Sequence, residues 1–450
     1  MIQYLKIKNF GPIKDEVELS FEAILNEEMS DDIYSVIMPD GCKLLKLAYI
    51  YGANASGKTT ILKAIEFLRK LLLNPLLEKS EKLDFEPFLF CEDAQTSRSS
   101  IEFAFYANQR RHVYQINFNS EAVISERLVY YQSAKPTEIF NRETDLEKRL
   151  AKIQFGSKIK VPAKERERLE ANTLHNNTVL GAFAKTNADI FELEALNMWL
   201  STFFLGMITG NSNITSPIAE MMATNPNVST WLNTFMNKAD RQITKVHTES
   251  DDTLSTILKN FDIKNTDKFP QGSVKINSSI DPATGSFTDK FKINGAAVAV
   301  TRRVEVTHET PAGSFILPIE SESTGTQRYF ALGAPLYMLV HSKALLLIDE
   351  LENSLHPDLM KHFLQTFLAN AGESQMLITT HNVGLMEEID FIRRDALWFA
   401  EKKEDGSVDL YSAADFDSGI LRKGASLVNA YRAGRLGAKP NLGSPFIPQN

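Results

Sequence analysis

Residues 50–65 read IYGANASGKTTILKAI, and glycine and other small residues fill the middle of this stretch. The segment Gly52–Thr59 fits the pattern G-x-x-x-x-G-K-[ST] at every fixed position. An apolar run at Leu44–Tyr51 predicts a buried strand before it, and apolar residues at helical spacing follow it as far as Asn74-Pro75. A strand, a glycine-rich loop and a helix in this order predict a phosphate-binding loop rather than a chance turn.

Each position of this loop has an expected role. Lys58, which we expect at the surface of the loop, would reach the β- and γ-phosphates of a nucleoside triphosphate. The Thr59 hydroxyl would be a ligand of Mg²⁺. The predicted nucleotide-binding residues of the loop are Gly52, Asn54, Ala55, Ser56, Gly57, Lys58, Thr59 and Thr60.

A second segment supplies the acidic partner that such a loop needs. Within KALLLIDELENSLHP, the apolar run Ala344–Ile348 predicts a central parallel strand. Asp349 and Glu350 follow it, at the strand end where α/β folds place their ligand sites. Acidic residues also simply end strands, but beside a phosphate-binding loop Asp349 is the expected Mg²⁺ ligand. Glu350 is then expected to polarise the water that attacks the γ-phosphate.

Two further segments bear on the kind of nucleotide site. ESTGTQRYFAL, residues 322–332, carries S-x-G-x-Q from Ser323 onward, ahead of a predicted helix. QMLITTHN, residues 375–382, predicts a strand that ends at His381. Each has an ordinary explanation, since Ser323 or Thr324 would serve as a helix N-cap and a lone histidine often ends a strand.

Composition limits the class of protein. The chain has 450 residues, which is enough for two or three domains, and its formal net charge is −8. Only two cysteines occur, without metal-type spacing, which favours a cytoplasmic protein over a disulfide scaffold. No apolar run is long enough for a membrane span. Nucleic-acid contact would need a local patch, such as residues 142–168 with nine Lys and Arg against five Asp and Glu.

The order of these patterns predicts an α/β protein whose nucleotide-binding domain is split. Residues 1–140 are expected to form its N-terminal half, with the loop and an antiparallel β meander between residues 100 and 131. Residues 141–270 read as a mostly helical insertion, and strand patterns return from about residue 272. Residues 271–450 are expected to form the C-terminal half, with alternating strands and helices.

The ordered set of motifs resembles the ABC-type ATPases of the SMC and RecF kind. In that resemblance Walker A is Gly52–Thr59, Walker B is Ala344–Glu350, the signature is Ser323–Gln327, the D-loop is Ser354–Asp358 and the switch histidine is His381. The sequence resembles more closely the AAA-labelled, ABC-type ATPases of bacterial anti-phage and abortive-infection operons, which are RloA- or PtuA-like. The segments LKIKNFGPIKDEVELSF, RRDALWF and YRAGRLGAKP belong to this resemblance, and the insertion does not.

The resemblance implies an ABC-type P-loop NTPase head, with a mixed sheet core and an antiparallel β subdomain, that binds ATP and Mg²⁺ and dimerises. In such heads the signature of one protomer closes over ATP held by the P-loop of the other. Catalytic roles would then fall to Glu350 and His381. Gln95 lies in the interval of the family's Q-loop glutamine, in a context that does not match. The signature residues expected at the nucleotide are Ser323, Gly325, Thr326 and Gln327.

The resemblance leaves three functions open. The first is a slow ATPase that acts as a switch in an anti-phage system, as a homodimer or higher even oligomer that controls a separate nuclease or toxin. The second is a DNA-repair ATPase of the RecF or SMC type, for which nucleic acid is a partner. The third is an assembly scaffold that binds ATP with little turnover. None of the three requires a membrane.

Overall fold

A computed structural model describes most of the chain and divides it into two compact units. The described residues are 1–24, 31–92, 94, 97–210, 215–250, 274–280, 287–293, 296–387, 392–416 and 426–440. The first unit comprises, within these residues, Met1–Gly210, Leu339–Glu352 and Leu364–Asn450. The second unit comprises Asn211–Met338 and Asn353–Phe363.

Strands and helices follow in chain order. The strands are β1 (Ile2–Lys8), β2 (Val17–Ser20), β3 (Ser35–Ile37), β4 (Lys43–Leu45), β5 (Leu47–Tyr51), β6 (Ser99–Ala107), β7 (Arg110–Phe118), β8 (Val123–Tyr131), β9 (Pro136–Asp145), β10 (Leu150–Phe155), β11 (Phe204–Ile208), β12 (Ile243–Ser250), β13 (Val274–Ile280), β14 (Phe287–Ile293), β15 (Ala296–Thr310), β16 (Gly313–Pro318), β17 (Leu345–Ile348), β18 (Gln375–Thr380), β19 (Leu397–Lys402) and β20 (Val408–Ser412). The helices are α1 (Asp31–Tyr34), α2 (Lys58–Leu73), α3 (Ala163–Asn172), α4 (Val179–Phe183), α5 (Phe191–Phe203), α6 (Thr215–Thr224), α7 (Pro226–Ala239), α8 (Thr324–His341), α9 (Pro357–Asn370) and α10 (Leu427–Arg432).

A mostly parallel sheet forms one half of the first unit. Its strand order is β11-β17-β18-β5-β19-β20, and only β20 runs antiparallel to its neighbour. Every residue of β5, β17 and β18 is buried, as expected for parallel strands covered on both faces. The predicted strands before the glycine loop and before Asp349 are therefore confirmed, and so is the helix predicted after the loop.

An antiparallel sheet forms the other half of the first unit, in the order β10-β9-β8-β7-β6-β1-β2. The predicted meander corresponds to β6, β7 and β8. Residues 141–270 were expected to be mostly helical, and this expectation is wrong for the end of β9 and for β10, β11 and β12. In β9, Arg142 is fully buried and donates to the Val123 carbonyl at 2.8 Å. A buried arginine makes a core strand read as polar.

Helix α2 connects the nucleotide loop to the core of the first unit. It contacts β11 and β18, and its apolar face is buried along its whole length. Phe67 of this helix packs against Phe10, Phe85 and Phe118, with ring centroids 5.0–5.5 Å away. Aromatic pairs at such distances stabilise beyond their buried area, so these contacts hold the middle of α2 against the core.

The second unit packs α6 and α7 against β12. Helix α8 crosses α7 closely at Gly333, where a Cβ would lie 2.5 Å from Leu232. The Trp231 indole donates to the Gly333 carbonyl at 3.1 Å, and the rings of Phe235 and Tyr329 stack 4.3 Å apart. These contacts fix the helix that begins just after Ser323.

The predicted α/β fold class, with a mixed sheet core and an antiparallel β subdomain, is confirmed. In the described part of the chain no helix is both long and apolar enough to cross a membrane. Cys42 and Cys91 are free thiols. The division into head halves at residues 140 and 270 stays a prediction.

Candidate functional site

The glycine loop lies between β5 and α2 and adopts a conformation that few residues allow. Gly57 has φ +91° and Ala55 has φ +60°, two left-handed conformations of the kind found in anion-binding loops. A Cβ at Gly57 would lie 2.6 Å from Val408, and one at Gly52 would lie 2.4 Å from the Ala400 carbonyl oxygen. Only glycine fits these two positions, as expected where a backbone must approach a phosphate closely.

Lys58 is buried, and the expectation of a surface position is wrong. Its residue is 7% exposed, because the amine turns into the loop and donates to the carbonyl oxygens of Gly52 at 2.7 Å and Ala53 at 2.9 Å. Burial lowers the pKa of Lys58, and nearby carboxylates act in the opposite direction. The Lys58 amine therefore lies against the loop backbone, where an anionic ligand can replace the two carbonyl oxygens as its hydrogen-bond acceptor.

The other residues of the loop differ in exposure. Asn54 and Ala55 are exposed at its tip, and the Thr60 N–H donates to the Gly57 carbonyl at 3.0 Å. The Ser56 hydroxyl is buried and has no hydrogen-bond partner among the described residues. An unpartnered buried hydroxyl in a phosphate-type loop fits a nucleotide, which would supply the missing acceptor.

Thr59 and Asp349 meet at the edge of the parallel sheet. The Thr59 hydroxyl lies 3.0 Å from both oxygens of the Asp349 carboxylate. Thr379, at the end of the adjacent strand β18, donates its hydroxyl to the same carboxylate at 2.6 Å. A carboxylate and a hydroxyl are hard oxygen ligands, so Thr59 and Asp349 fit Mg²⁺.

Glu350 has a backbone conformation that is costly for its residue type. Its φ is +52°, and its N–H donates to the Thr379 hydroxyl at 2.9 Å. The Glu350 side chain is exposed at the same sheet edge. Left-handed conformations of residues other than glycine cluster at functional sites, where surrounding contacts hold them. The strain at Glu350 therefore marks this turn as part of the site.

His381 follows β18 and is held by a residue that the sequence did not predict. Its Nδ1 lies 2.6 Å from Glu352 Oε1, and its backbone N–H donates to the same oxygen at 2.7 Å. The other carboxylate oxygen, Glu352 Oε2, is buried without a hydrogen-bond partner in the described part of the chain. The sequence feature that could have predicted this contact is the acidic residue two positions after Glu350.

The predicted signature segment lies in the second unit, at the start of α8. Ser323 is exposed, and its Oγ accepts a hydrogen bond from the Thr326 N–H at 3.1 Å. The Gln327 amide donates to the carbonyl oxygens of Glu320 at 3.1 Å and Glu322 at 2.9 Å. Ser323 is thus a helix N-cap in this structure, as in the alternative explanation.

Gly325 brings the signature segment beside the predicted D-loop of the same chain. A Cβ on Gly325 would lie 3.0 Å from the Ser354 carbonyl oxygen, and Ser354 itself has φ +61°. Gln95, the candidate Q-loop residue, lies outside the described residues. The first unit therefore brings together the loop, Asp349, Glu350 and His381, while the signature segment belongs to the second unit.

The model of a protein family described as AAA ATPase domain (AAA_15) matches residues 1–385. The chain belongs to the AAA ATPase domain family. This AAA ATPase has no match among curated proteins. Among solved structures it is similar to an SMC head bound to the C-winged helix domain of ScpA, with 13% identity, a TM-score of 0.45 and coverage of 91% of this chain and 97% of that one. It is also similar to the SMC head domain from Thermotoga maritima, with 13% identity, a TM-score of 0.38 and coverage of 91% and 98%.

Proposed function

We propose that this AAA ATPase is a dimeric, ATP-driven switch that controls a separate nuclease or toxin in a bacterial anti-phage system in the cytoplasm. The observation that carries the ATP-driven part is the sheet edge, where Thr59, Asp349 and Thr379 share hydrogen bonds beside the strained Glu350. The defence role rests on the resemblance of the motifs to the RloA- and PtuA-like group.

The residues of the sheet edge divide the work on ATP. The loop N–H groups and Lys58 bind and orient the β- and γ-phosphates, and Thr59 with Asp349 would hold Mg²⁺. When bound, Mg²⁺ supplies positive charge that neutralises the phosphate oxygens. Glu350 accepts a proton from the attacking water, and His381, held by Glu352, donates to the γ-phosphate. Asp349 already accepts two hydroxyl hydrogen bonds, which orient its carboxylate.

The signature segment acts in trans in this proposal. Helix α8 begins at Thr324, and the positive end of its dipole, with the N–H of Gly325, would face the γ-phosphate bound to a partner protomer. The site closes only when two chains share ATP, and it opens after hydrolysis. Such a cycle changes the surface that an effector meets, which is what makes the dimer a switch.

Glu350→Gln tests the proposal, because it removes the base and keeps the shape. We expect ATP binding to persist, hydrolysis to fall by ~10²–10⁴-fold and the dimer to stay closed. The variant is expressed with the products of its neighbouring genes, and the proteins that co-elute with and without ATP are identified. Glu18→Gln, at an exposed glutamate that pairs with Lys6, is the matched control. Wild-type turnover in Glu350→Gln, or ATP-trapped dimers that retain no nuclease or toxin, would contradict the proposal.

An exposed basic region supports a second candidate, a DNA-repair ATPase. The side chains of Lys158, Lys160, Lys164 and Arg166 are all exposed around the start of α3. Duplex DNA is the probe, and charge reversal at Lys158 and Lys160 should weaken its binding and flatten the salt dependence. Reversal of Lys79 and Lys82, which are also exposed, is the control. ATP-dependent duplex binding that only the first pair abolishes would favour repair over defence.

A further inference from the structure

Residues 426–440, here called the C-terminal segment, contact the glycine loop. They contain α10 and the turns that follow it, and they lie beyond residues 1–385, which the family model matches. The Ala53 N–H of the loop donates to the Ala438 carbonyl oxygen at 3.1 Å. Ala438 is 2% exposed, so this hydrogen bond is shielded from water. This contact has no part in the function proposed above for the glycine loop.

Three hydrogen bonds hold the backbone of Ala438 in place. The Tyr431 hydroxyl donates to the Ala438 carbonyl oxygen at 3.1 Å, and the Ala438 N–H donates to Glu401 Oε1 at 3.1 Å. The Tyr411 hydroxyl lies 2.9 Å from Glu401 Oε2 and orients that carboxylate. Glu401 and Tyr411 belong to β19 and β20, so the parallel sheet itself carries the support.

The backbone of the C-terminal segment is shaped for this contact. Gly437 has φ +63° and Ala438 has φ +54°, so two successive residues adopt the left-handed conformation. A Cβ at Gly437 would lie 2.3 Å from the Tyr411 hydroxyl oxygen, and only glycine fits there. A left-handed alanine costs free energy that its surrounding hydrogen bonds must offset. The turn is thus constrained by its contacts rather than by its intrinsic preference.

The hydrogen bond to Ala438 and one hydrogen bond of Lys58 involve the same peptide group. A trans peptide is planar, so the Ala53 N–H and the Gly52 carbonyl of one peptide point in opposite directions. When Ala438 fixes the N–H, the Gly52 oxygen is turned the other way, where the Lys58 amine donates to it at 2.7 Å. The C-terminal segment and Lys58 therefore act on opposite ends of the same peptide.

We propose that the C-terminal segment is a positioning element of the ATP site. It fixes the Gly52–Ala53 peptide and thereby presets Lys58 for the phosphates, while it touches neither ATP nor the reacting atoms. This inference rests on the ATP site proposed above. Because Asp349 and Glu350 lie on another strand end, weakening the segment should change ATP affinity more than the rate of the chemical step.

Tyr431→Phe removes one oxygen and with it the donor to Ala438, and Glu401→Gln replaces the carboxylate acceptor. We expect each change to raise the Kd for ATP by about 3- to 10-fold, with kcat within about twofold of wild type. Hydrogen exchange of the loop peptide that contains Ala53 should become faster while β5 stays protected. Tyr106→Phe is the matched control. Tyr106 lies in strand β6, and its hydroxyl also donates a hydrogen bond, to Asp40 at 2.8 Å.

Each outcome separates this inference from the proposed ATP site. If the wild-type chain fails to bind ATP, the proposed site falls. If the wild type binds ATP and Tyr431→Phe binds it as tightly, or no more weakly than Tyr106→Phe, the positioning role is contradicted. The proposed ATP site is then unaffected. A loss confined to kcat would also overturn it. Should Glu401→Gln fail to fold, Tyr431→Phe decides, because it removes a single atom.

Discussion

The sheet edge of the first unit and the signature segment of the second unit satisfy their polar groups in opposite ways. At the sheet edge, Thr59, Asp349 and Thr379 come from three distant parts of the chain and bond to one another. In the signature segment, Ser323 bonds to Thr326 and Gln327 bonds to Glu320, all within a few residues. The first arrangement exists only in the folded unit, whereas the second needs nothing beyond a helix start.

This difference indicates which half of the site is ready before a ligand arrives. A cluster assembled from separate strands is held by the whole unit, so its geometry is preorganised for binding. The helix start of the signature segment satisfies its polar groups with its own neighbours, so it gains no comparable support from distant parts of the chain. We therefore expect the sheet edge to bind ATP alone and the signature segment to act only on another chain.

The largest expected effect comes from Ser323→Arg. The substitution removes the N-cap and places a bulky cation where a closing helix start must meet phosphate. We expect each protomer to bind ATP normally, with no ATP-driven dimer and no hydrolysis. Equilibrium binding, light scattering and phosphate release measure the three quantities. Ser321→Arg, at another exposed serine two residues earlier, is the control that should keep dimerisation.

Mixing two inactive variants gives a more specific test of the trans arrangement. A dimer of one Lys58→Ala chain and one Ser323→Arg chain has one site with both faults and one with neither. Partial hydrolysis should therefore return when the two inactive proteins are combined. Mixed dimers that stay inactive would mean that the sites act only as a pair or are not shared. Hydrolysis by monomeric Ser323→Arg would contradict the trans arrangement itself.

Lys58→Ala should weaken ATP binding by about 100-fold, the scale of a charge-assisted contact to phosphate. The fold should survive, although for a different reason than surface exposure. The substitution leaves two loop carbonyls without their donor but also removes a buried charge, and these effects oppose each other. Calorimetric titration with ATP and the thermal midpoint test both points. Lys63→Ala, an exposed lysine on the same helix, should change neither.

Much of the first unit's core and sheet edge was predictable from the sequence, because motif spacing and strand order are local signals. Gly52–Thr59 needs only its own small residues and its flanking strand and helix. Asp349 follows from the rule that parallel strands present their carboxyl ends at one edge. Thr379 follows the same rule, because it lies near the carboxyl end of the strand beside β17, and it could have been predicted in that way.

The missed features depend on contacts between distant residues. Strand β9 was missed in the sequence because Arg142 is charged, and a charged residue indicates a surface position until its carbonyl partners are known. The Ala438 contact uses a backbone carbonyl, which no side-chain pattern reveals. The burial of Lys58 depends on how far the loop carbonyls turn inward. In each case the sequence contains the hydrogen-bonding group but does not indicate which distant residue it contacts.

The smallest effect is expected from Glu352→Gln, which tests whether the sheet edge is as preorganised as its hydrogen bonds indicate. Glutamine keeps an acceptor for the His381 N–H but loses the charge that faces the ring. We expect kcat to fall about 10-fold while KM for ATP changes less than threefold, because His381 is misplaced and the phosphate loop is intact. Steady-state phosphate release measures both constants.

Glu373→Gln is the matched control, because that glutamate pairs with Lys343 at the surface and surface pairs contribute little. The double variant with His381→Ala carries the decisive comparison. If Glu352 acts through His381, Glu352→Gln adds nothing once His381→Ala is present, and the two effects are strongly non-additive. Full additivity would mean that Glu352 acts independently of the histidine. In that case its buried and unpartnered Oε2, rather than the contact to His381, would be the group to explain.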